Sequence, residues 1–552
     1  MRIKNFRYAF FITLVLALSI ASCKKDQFAI NTNPNAITAS TVDFKSVLPA
    51  SISTTANLQA TSWTILQKWM GYWARSGSYQ SISDEETYSF TNNFGVNMWN
   101  NLYSNATNYD FVITNANKNG AGFYEAIARI MKAQNFQMLV DLYGNVPYSE
   151  AFKGGTIRTP KYDEDQLIYA DLFRELDKSI ALLNDATATS IDNNKEIVTN
   201  DLVFAGNKLS WKKFANTLKL RLLMHMGNTS FAGGVETNTF IAGANQVAEM
   251  AIITAEGSGF LSAGGSATIN PGYEGTKPNP YYRAYVVNEL GALPGLGDQT
   301  KANAYAVGPN PGGPSQGYYQ WNGDPRIDRF YGLPADPVGG TTHRGIRFGE
   351  VATSTSPNLG PKLSTLNGPG LVPNGAASRA WIFTSVESLF LQAEAARRGL
   401  LAGNAQALYT SAVRESFVFL GLTAVQADTY ITGNASYPDV DFNGVSQGAG
   451  LPAGGMYTIL SQKWFALNAL SPLEVYTDYR RSDIVYGRGG GFLPGPPISV
   501  NPANTKTKIP IRFFYPQNEY SFNPANALGE GTIDVFTAGG PTGRNRIFWD
   551  KN

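Results

Sequence analysis

The chain of 552 residues has one cysteine, Cys23, so no disulfide can form within it. Cys23 follows three basic residues, Arg2, Lys4 and Arg7, and an apolar run from Phe10 to Ile20 that is closed by Ala21 and Ser22. Basic residues, a short apolar core and small residues are the layout of a secretory signal peptide, and about eleven apolar residues fall short of the roughly twenty that span a bilayer. Residues 1–22 are therefore read as a signal peptide and the chain as exported, although it reaches an oxidising compartment without cross-links. A body of this kind has to be held together by a large core, and the residues after position 22 are numerous enough to build one. Hydrophobic content of 43% is that of an ordinary globular protein.

Removing residues 1–22 takes away three basic and no acidic residues, which moves the formal charge from +2 to −1. A near-neutral surface argues against a nucleic-acid partner, which would require clustered Lys and Arg. No other apolar run approaches membrane-spanning length, so membrane attachment rests on Cys23. The run Ile20-Ala21-Ser22-Cys23 resembles the lipobox of bacterial lipoproteins, in which the cysteine becomes the lipidated first residue; Cys23 is the expected lipidation site. Residues 23–40, rich in Asn, Thr and Pro, read as a lipidated tether, and residues 41–552 as one α-rich domain.

Helical periodicity dominates residues 41–230. Helices are expected over Asn57–Ala74, Tyr124–Tyr143 (stopped by Gly144), Asp163–Leu183 and Ser210–Met226, with Ser210 as N-cap. In the second, Ile127, Ile130, Met131, Gln134, Met138 and Asp141 lie on one stripe; in the last, Trp211, Phe214, Leu218 and Leu222 do. Residues 255–380 change to Gly, Pro, Asn and Tyr and read as a loop-rich insertion, a setting that more often carries function than scaffold. Helices return over Val386–Arg398 and Asn404–Leu420, at a spacing near that of tetratricopeptide repeats. Tyr457–Asp478 also reads as helical, broken at Pro472, and residues 501–552 as an irregular tail.

Catalytic signatures are sparse. Of the two histidines, His225 falls near a helix end and reads as structural, and His343 sits in a Gly/Thr loop. No His/Cys cluster has metal-ligand spacing, no phosphate-cradling loop appears, and Gly487–Gly491 reads as a turn. Carboxylate neighbours such as Asp84, Glu85 and Glu86 would suit a glycosidase, but 42 acidic residues make chance pairs inevitable. No catalytic residue, metal or cofactor is nominated.

Aromatic residues are the remaining signal, at 12% of the chain. Trp63, Trp69, Tyr72, Trp73 and Tyr79 cluster, with Trp69 and Trp73 one helical turn apart; Tyr281, Tyr282, Tyr318, Tyr319 and Trp321 form a second set in the loops. An exposed ring beside amide and carboxylate groups offers a face for the apolar side of a sugar and hydrogen bonds for its hydroxyls. The candidate ligand residues are Trp73, Tyr79, Tyr282, Tyr318, Tyr319 and Trp321, with Asn279, Gln320, Asn322 and Asp324 as polar neighbours.

Several tracts are similar to a known family. Asp141-Leu-Tyr-Gly-Asn-Val-Pro-Tyr-Ser-Glu-Ala151, Trp211-Lys-Lys-Phe-Ala-Asn-Thr-Leu-Lys-Leu-Arg221, Glu387 through Gly399, Gln462-Lys-Trp-Phe-Ala-Leu467, Asp478-Tyr-Arg-Arg481 and Ile509-Pro-Ile-Arg-Phe-Phe-Tyr-Pro-Gln-Asn-Glu519 resemble the SusD/RagB outer-membrane lipoproteins of Bacteroidetes, most closely the SusD-like nutrient-binding branch. The resemblance implies a mainly α fold, with tetratricopeptide-like helix pairs in a right-handed superhelix and long irregular loops. It also implies a lipid-anchored, surface-exposed outer-membrane protein that is not an enzyme. Such a protein captures a glycan, or in some members a peptide, and delivers it to a SusC-like TonB-dependent transporter packed on the helices. A lipid-anchored glycan hydrolase is the alternative of another class.

Overall fold

The computed structural model describes residues 42–226, 246–270, 272–309, 317–339, 342–353, 356–443, 455–486, 496, 498–537 and 546–550. The signal peptide, Cys23, the tether and the Gly487–Gly491 run lie outside them. The fold is mainly α. Its principal helices are α1 (Phe44–Thr61), α2 (Thr64–Trp69), α3 (Val96–Lys118), α4 (Gly122–Tyr143), α5 (Asp165–Asn184), α6 (Lys208–Met226), α7 (Gln246–Glu256), α8 (Pro280–Tyr285), α9 (Tyr318–Trp321), α10 (Ser385–Arg397), α11 (Ala405–Phe419), α12 (Ala424–Gly433), α13 (Met456–Leu467) and α14 (Pro472–Tyr486). The strands are two or three residues long: β1 (Trp73–Arg75), β2 (Val146–Pro147), β3 (Tyr162–Asp163), β4 (Ala267–Thr268), β5 (Thr300–Ala302) and β6 (Trp381–Phe383). They pair antiparallel as β1–β5, β2–β3 and β4–β6.

Successive helices pack as pairs: α3 on α4, α4 on α5, α10 on α11. The turn between α3 and α4 is only three residues long, Asn119 to Ala121, which forces the two helices to run back along each other. In α4 every residue except Arg129 and Lys132 is buried, so the expected stripe is part of a helix enclosed on nearly all sides. Gly144 ends it with φ +73°. Helix α6 starts earlier than expected: Asn207 is its cap, accepting a hydrogen bond from the Ser210 N–H at 3.0 Å. The expected Tyr457–Asp478 helix divides into α13 and α14, with Pro472 as the first residue of the second, where its missing N–H costs nothing.

The first expected helix is corrected more substantially. Residues 57–74 span the end of α1, a turn at Ser62–Trp63, α2 and the start of β1. Gly71 has φ +79°, and a Cβ there would meet the Tyr305 ring at 2.5 Å, so the chain must leave the helix at this point and only glycine fits. Trp73 consequently lies in a strand and shares no helix face with Trp69.

One continuous core runs from Phe44 to Trp549, and a charged network lies inside it. Arg221 (α6) donates to Glu387 (α10) at 2.7 Å and to Gln137 (α4) at 3.1 Å. Lys463 (α13) pairs with Glu474 and Asp478 (α14) at 2.7 and 3.0 Å. Arg481 forks onto Glu394 (α10) with contacts of 2.6 and 2.7 Å, and Arg398 reaches the same carboxylate at 3.7 Å. His225, fully buried, lies between Asp141 (3.1 Å) and Glu474 (2.7 Å), and the Tyr169 hydroxyl donates to Asp141. Five carboxylates therefore face four permanently charged partners, and the fifth positive charge is His225. Burial alone would discharge its imidazole, but Glu474 and Asp141 raise its pKa to about 9. By the same pairing, and against its own burial, Glu474 is held well below the usual carboxylate range by His225 and Lys463. Five of the tracts that carry the family resemblance contribute a member to this network: Asp141, Arg221, Glu387 with Glu394, Lys463, and Asp478 with Arg481. Their sequence signal is therefore structural.

Candidate functional site

The described residues between 257 and 384 form only short helices and strands. Within them the expected aromatic platform divides into buried and exposed members. Tyr319 has no exposed surface; it donates to the Phe465 carbonyl at 2.6 Å and packs edge-on to the Phe465 ring. Trp73 is equally buried, against Tyr281 and Tyr285. Both are core residues, so neither offers a ring to a ligand, and the expectation is corrected at these positions. The rule that misled it is that loops rarely bury rings; here the loops cover α13 and are themselves covered.

Trp321 is the exposed member, at 45%. It closes α9, three residues after Tyr318, and the two rings run parallel within 9°, with centroids 6.5 Å apart. Tyr318 is half-buried and rests on Tyr305 at 4.7 Å and on the edge of Trp464 at 6.2 Å. Burial and the nearby Asp439 raise the Tyr318 hydroxyl to about 12, so it is neutral and available as a donor. The base of α9 is fixed by Gly317: a Cβ there would lie 2.2 Å from the Gly308 nitrogen and 2.5 Å from the Ala306 carbonyl oxygen. A crossing of backbones that close sets where Trp321 stands.

The polar neighbours also separate. Asn279 is buried; it caps α8 by accepting from the Tyr282 N–H at 3.1 Å and donates to the Ser378 carbonyl at 3.0 Å. Asp324 is buried in an ion pair with Arg326 at 2.6 Å. Gln320 donates to the His343 carbonyl at 3.2 Å. These three are occupied. Asn322 is different, because its buried amide nitrogen has no hydrogen-bond partner of good geometry. Tyr282 is half-buried at the start of α8 and packs against the core.

Tyr79 belongs to a separate cleft of about 290 Å³, lined by Arg75, Ser76, Ser78, Tyr79, Ser81, Glu86 and Glu350 among others. Its hydroxyl donates to Asp298, and Arg75 lies over its ring at 5.6 Å. Burial raises the Glu86 carboxyl, against a hydrogen bond from Ser81. In the sequence only Tyr79 and the Asp84–Glu86 carboxylates pointed here, since the hydroxyls and carboxylates of this cleft converge from residues 75–86 and 350–352. A third cleft, of about 320 Å³, opens on the helical side between α3, α4 and α5. There Lys132 is paired with Asp110 at 2.6 Å, and Arg129 with Glu125 at 2.8 Å and with Glu175.

Among the described residues no helix is long and apolar enough to cross a membrane, and no group of three or more His, Cys, Asp or Glu could hold a metal ion.

A family of proteins described as "Starch-binding associating with outer membrane", SusD-like, matches the sequence over residues 34–290 and 319–516. The chain belongs to this SusD-like family. Solved structures of the same fold include a chitin-binding SusD homolog from Flavobacterium johnsoniae, with a TM-score of 0.67 at 21% identity over 92% of this chain and 99% of that one. A SusD/RagB family protein from Bacteroides thetaiotaomicron gives 0.66 at 20% identity, with the same coverage of both chains. A SusD homolog from Bacteroides uniformis gives 0.63 at 21%, again over 92% and 99%. No curated protein is similar in sequence.

Proposed function

We propose that this protein is a cell-surface lipoprotein, anchored through Cys23, that captures glycan on the Trp321–Tyr318 platform. It delivers the glycan to a SusC-like TonB-dependent transporter docked on the helical side, without chemical turnover. The observation that carries the ligand assignment is one exposed indole held parallel to a tyrosine whose other contacts are all core. A ring placed in this way is pre-organised for the apolar face of a sugar, and its scaffold pays no ordering cost when ligand arrives. Membership of a family described as starch-binding supports a polysaccharide fragment over a peptide as the ligand.

The test is calorimetric titration with maltoheptaose and chitohexaose. A ring–sugar contact is worth about 1 kcal/mol, so Trp321→Ala should weaken binding about five-fold while the melting temperature stays within about 1 °C. Unchanged affinity would move the site to the Tyr79 cleft. Release of reducing ends by the purified protein, abolished by one Asp or Glu substitution, would refute the non-enzymatic assignment. Co-purification of a TonB-dependent transporter from native membranes tests the delivery step.

A further inference from the structure

Beside the Trp321–Tyr318 pair lies a carboxylate treated unlike the others described above. Asp439, in the turn after α12, accepts from the Tyr457 hydroxyl at 2.8 Å. Asp141, Asp324, Glu387, Glu394, Glu474 and Asp478 are all buried against a cation; Asp439 is half-buried and has none among the described residues. Burial accordingly raises its carboxyl pKa, and the influences opposing it are the hydrogen-bonding groups of Tyr457 and Asn322. The Asn322 amide is thus close enough to act on Asp439, yet its nitrogen lacks a hydrogen bond of good geometry and is only 4% exposed as a residue. The Asn322 nitrogen is a buried donor without a partner of good geometry, while the half-buried Asp439 carboxylate accepts from Tyr457; a buried donor left open is expensive to keep and is retained where a ligand completes it. Asn322 follows Trp321 directly in the chain, and Asp439 is close enough to Tyr318 to act on its hydroxyl.

We propose that the Asp439 carboxylate and the Asn322 amide form the polar end of the Trp321–Tyr318 platform and select neutral sugar units over glycans that carry carboxylate or sulfate groups. The inference rests on the platform being the ligand site. The carboxylate can only accept and the amide nitrogen can only donate. A pyranose offers both complements on adjacent carbons: one hydroxyl or acetamido N–H donates to Asp439, and the neighbouring oxygen accepts from Asn322. A uronic acid or sulfate ester brought to the same place meets an anion with no cation to offset it, in a setting where charges are poorly screened.

The experiment measures binding of maltoheptaose, chitohexaose, oligogalacturonate and chondroitin sulfate fragments to the wild type, Asp439→Asn, Asn322→Ala and Trp321→Ala, with a melting curve for each. The wild type should bind a neutral probe and reject both acidic ones at least ten-fold. Asp439→Asn should lose ten-fold or more toward the neutral probe and gain measurable oligogalacturonate binding. Asn322→Ala should lose several-fold toward the neutral probe and still reject the acidic ones. Wild-type protein that binds acidic glycans as tightly as neutral ones, or binds no neutral probe, overturns the selection. So does Asp439→Asn with wild-type affinities. If that variant does not fold, Asn322→Ala decides, and unchanged affinity in it refutes the inference. Loss of binding in Trp321→Ala with no effect from either polar variant refutes the polar end and leaves the platform standing; no effect from any of the three refutes both.

Discussion

Replacing His225 by glutamine should destabilise the protein by an amount that depends on pH in a way set by the buried network. In the folded state the imidazole titrates at about 9, because burial, which would discharge it, is outweighed by Glu474 at 2.7 Å and Asp141 at 3.1 Å. In the unfolded chain it titrates near 6.5, so protons bind the native state more tightly. A group raised in this way contributes its full stabilisation below the unfolded pKa and loses it as pH rises through the folded one. From the two values the charge-dependent part is worth about 3 kcal/mol at pH 6, about 2 at pH 7.5 and only about 0.2 at pH 9.5. At about 2.1 cal/mol/K of unfolding entropy per residue, 1 kcal/mol shifts the midpoint of a chain this long by roughly 1 °C. The difference in melting temperature between wild type and His225→Gln, measured by scanning calorimetry at the three pH values, should therefore shrink by roughly 3 °C from pH 6 to pH 9.5. Buried tyrosines also titrate at high pH, but they do so in both proteins and cancel in the difference. A gap independent of pH would show that His225 is uncharged in the folded state and that the network carries an unbalanced negative charge.

Tyr319→Ala, which empties a fully buried ring site, should cost about 3–5 kcal/mol by urea unfolding, whereas Trp321→Ala should cost almost nothing. Arg481→Met leaves buried Glu394 with only the more distant Arg398 and should cost about 3–5 kcal/mol, with a large part recovered in the double variant Arg481→Met/Glu394→Met. On the proposed anchoring, Cys23→Ala should leave the melting temperature unchanged and move the protein from the membrane fraction to the soluble one, since among the described residues no helix is long and apolar enough to cross a membrane. Gly317→Ala should distort the crossing with Gly308 and lower glycan affinity as well as stability, separating it from Trp321→Ala, which lowers affinity alone.

The helices were legible because their period is local. The Asn404 cap, the Gly144 stop and the Pro472 break each act within one turn of the chain. The α2–β1 break was not legible, because what forces it is the approach of Tyr305, more than two hundred residues away, onto Gly71. The same limit governs the site. Tyr318, Tyr319 and Trp321 are indistinguishable in composition, and which of them faces outward depends on α13: Tyr319 reaches the Phe465 carbonyl and Trp321 does not. Asp439 carried no sequence signal at all, being one carboxylate among 42 acidic residues. Its distinction is that no cation among the described residues pairs with it, which is a property of three-dimensional neighbours.

The charged network also constrains how the chain can be made. Its members lie at positions 141, 221, 225, 387, 394, 398, 463, 474, 478 and 481, so the network cannot be neutralised until the final third of the chain has arrived. A chain ending near residue 380 would hold Asp141, Arg221 and His225 with no glutamate from α10 or α14 to meet them. Such a fragment should remain soluble only as an unfolded or chaperone-bound species, a state visible as a flat near-ultraviolet circular dichroism spectrum. If the chain is exported as proposed, this arrangement should keep it threadable until its C-terminal segment has crossed. The absence of disulfides is consistent with that order of events, because no covalent cross-link can trap an early half-fold while the rest is still in transit.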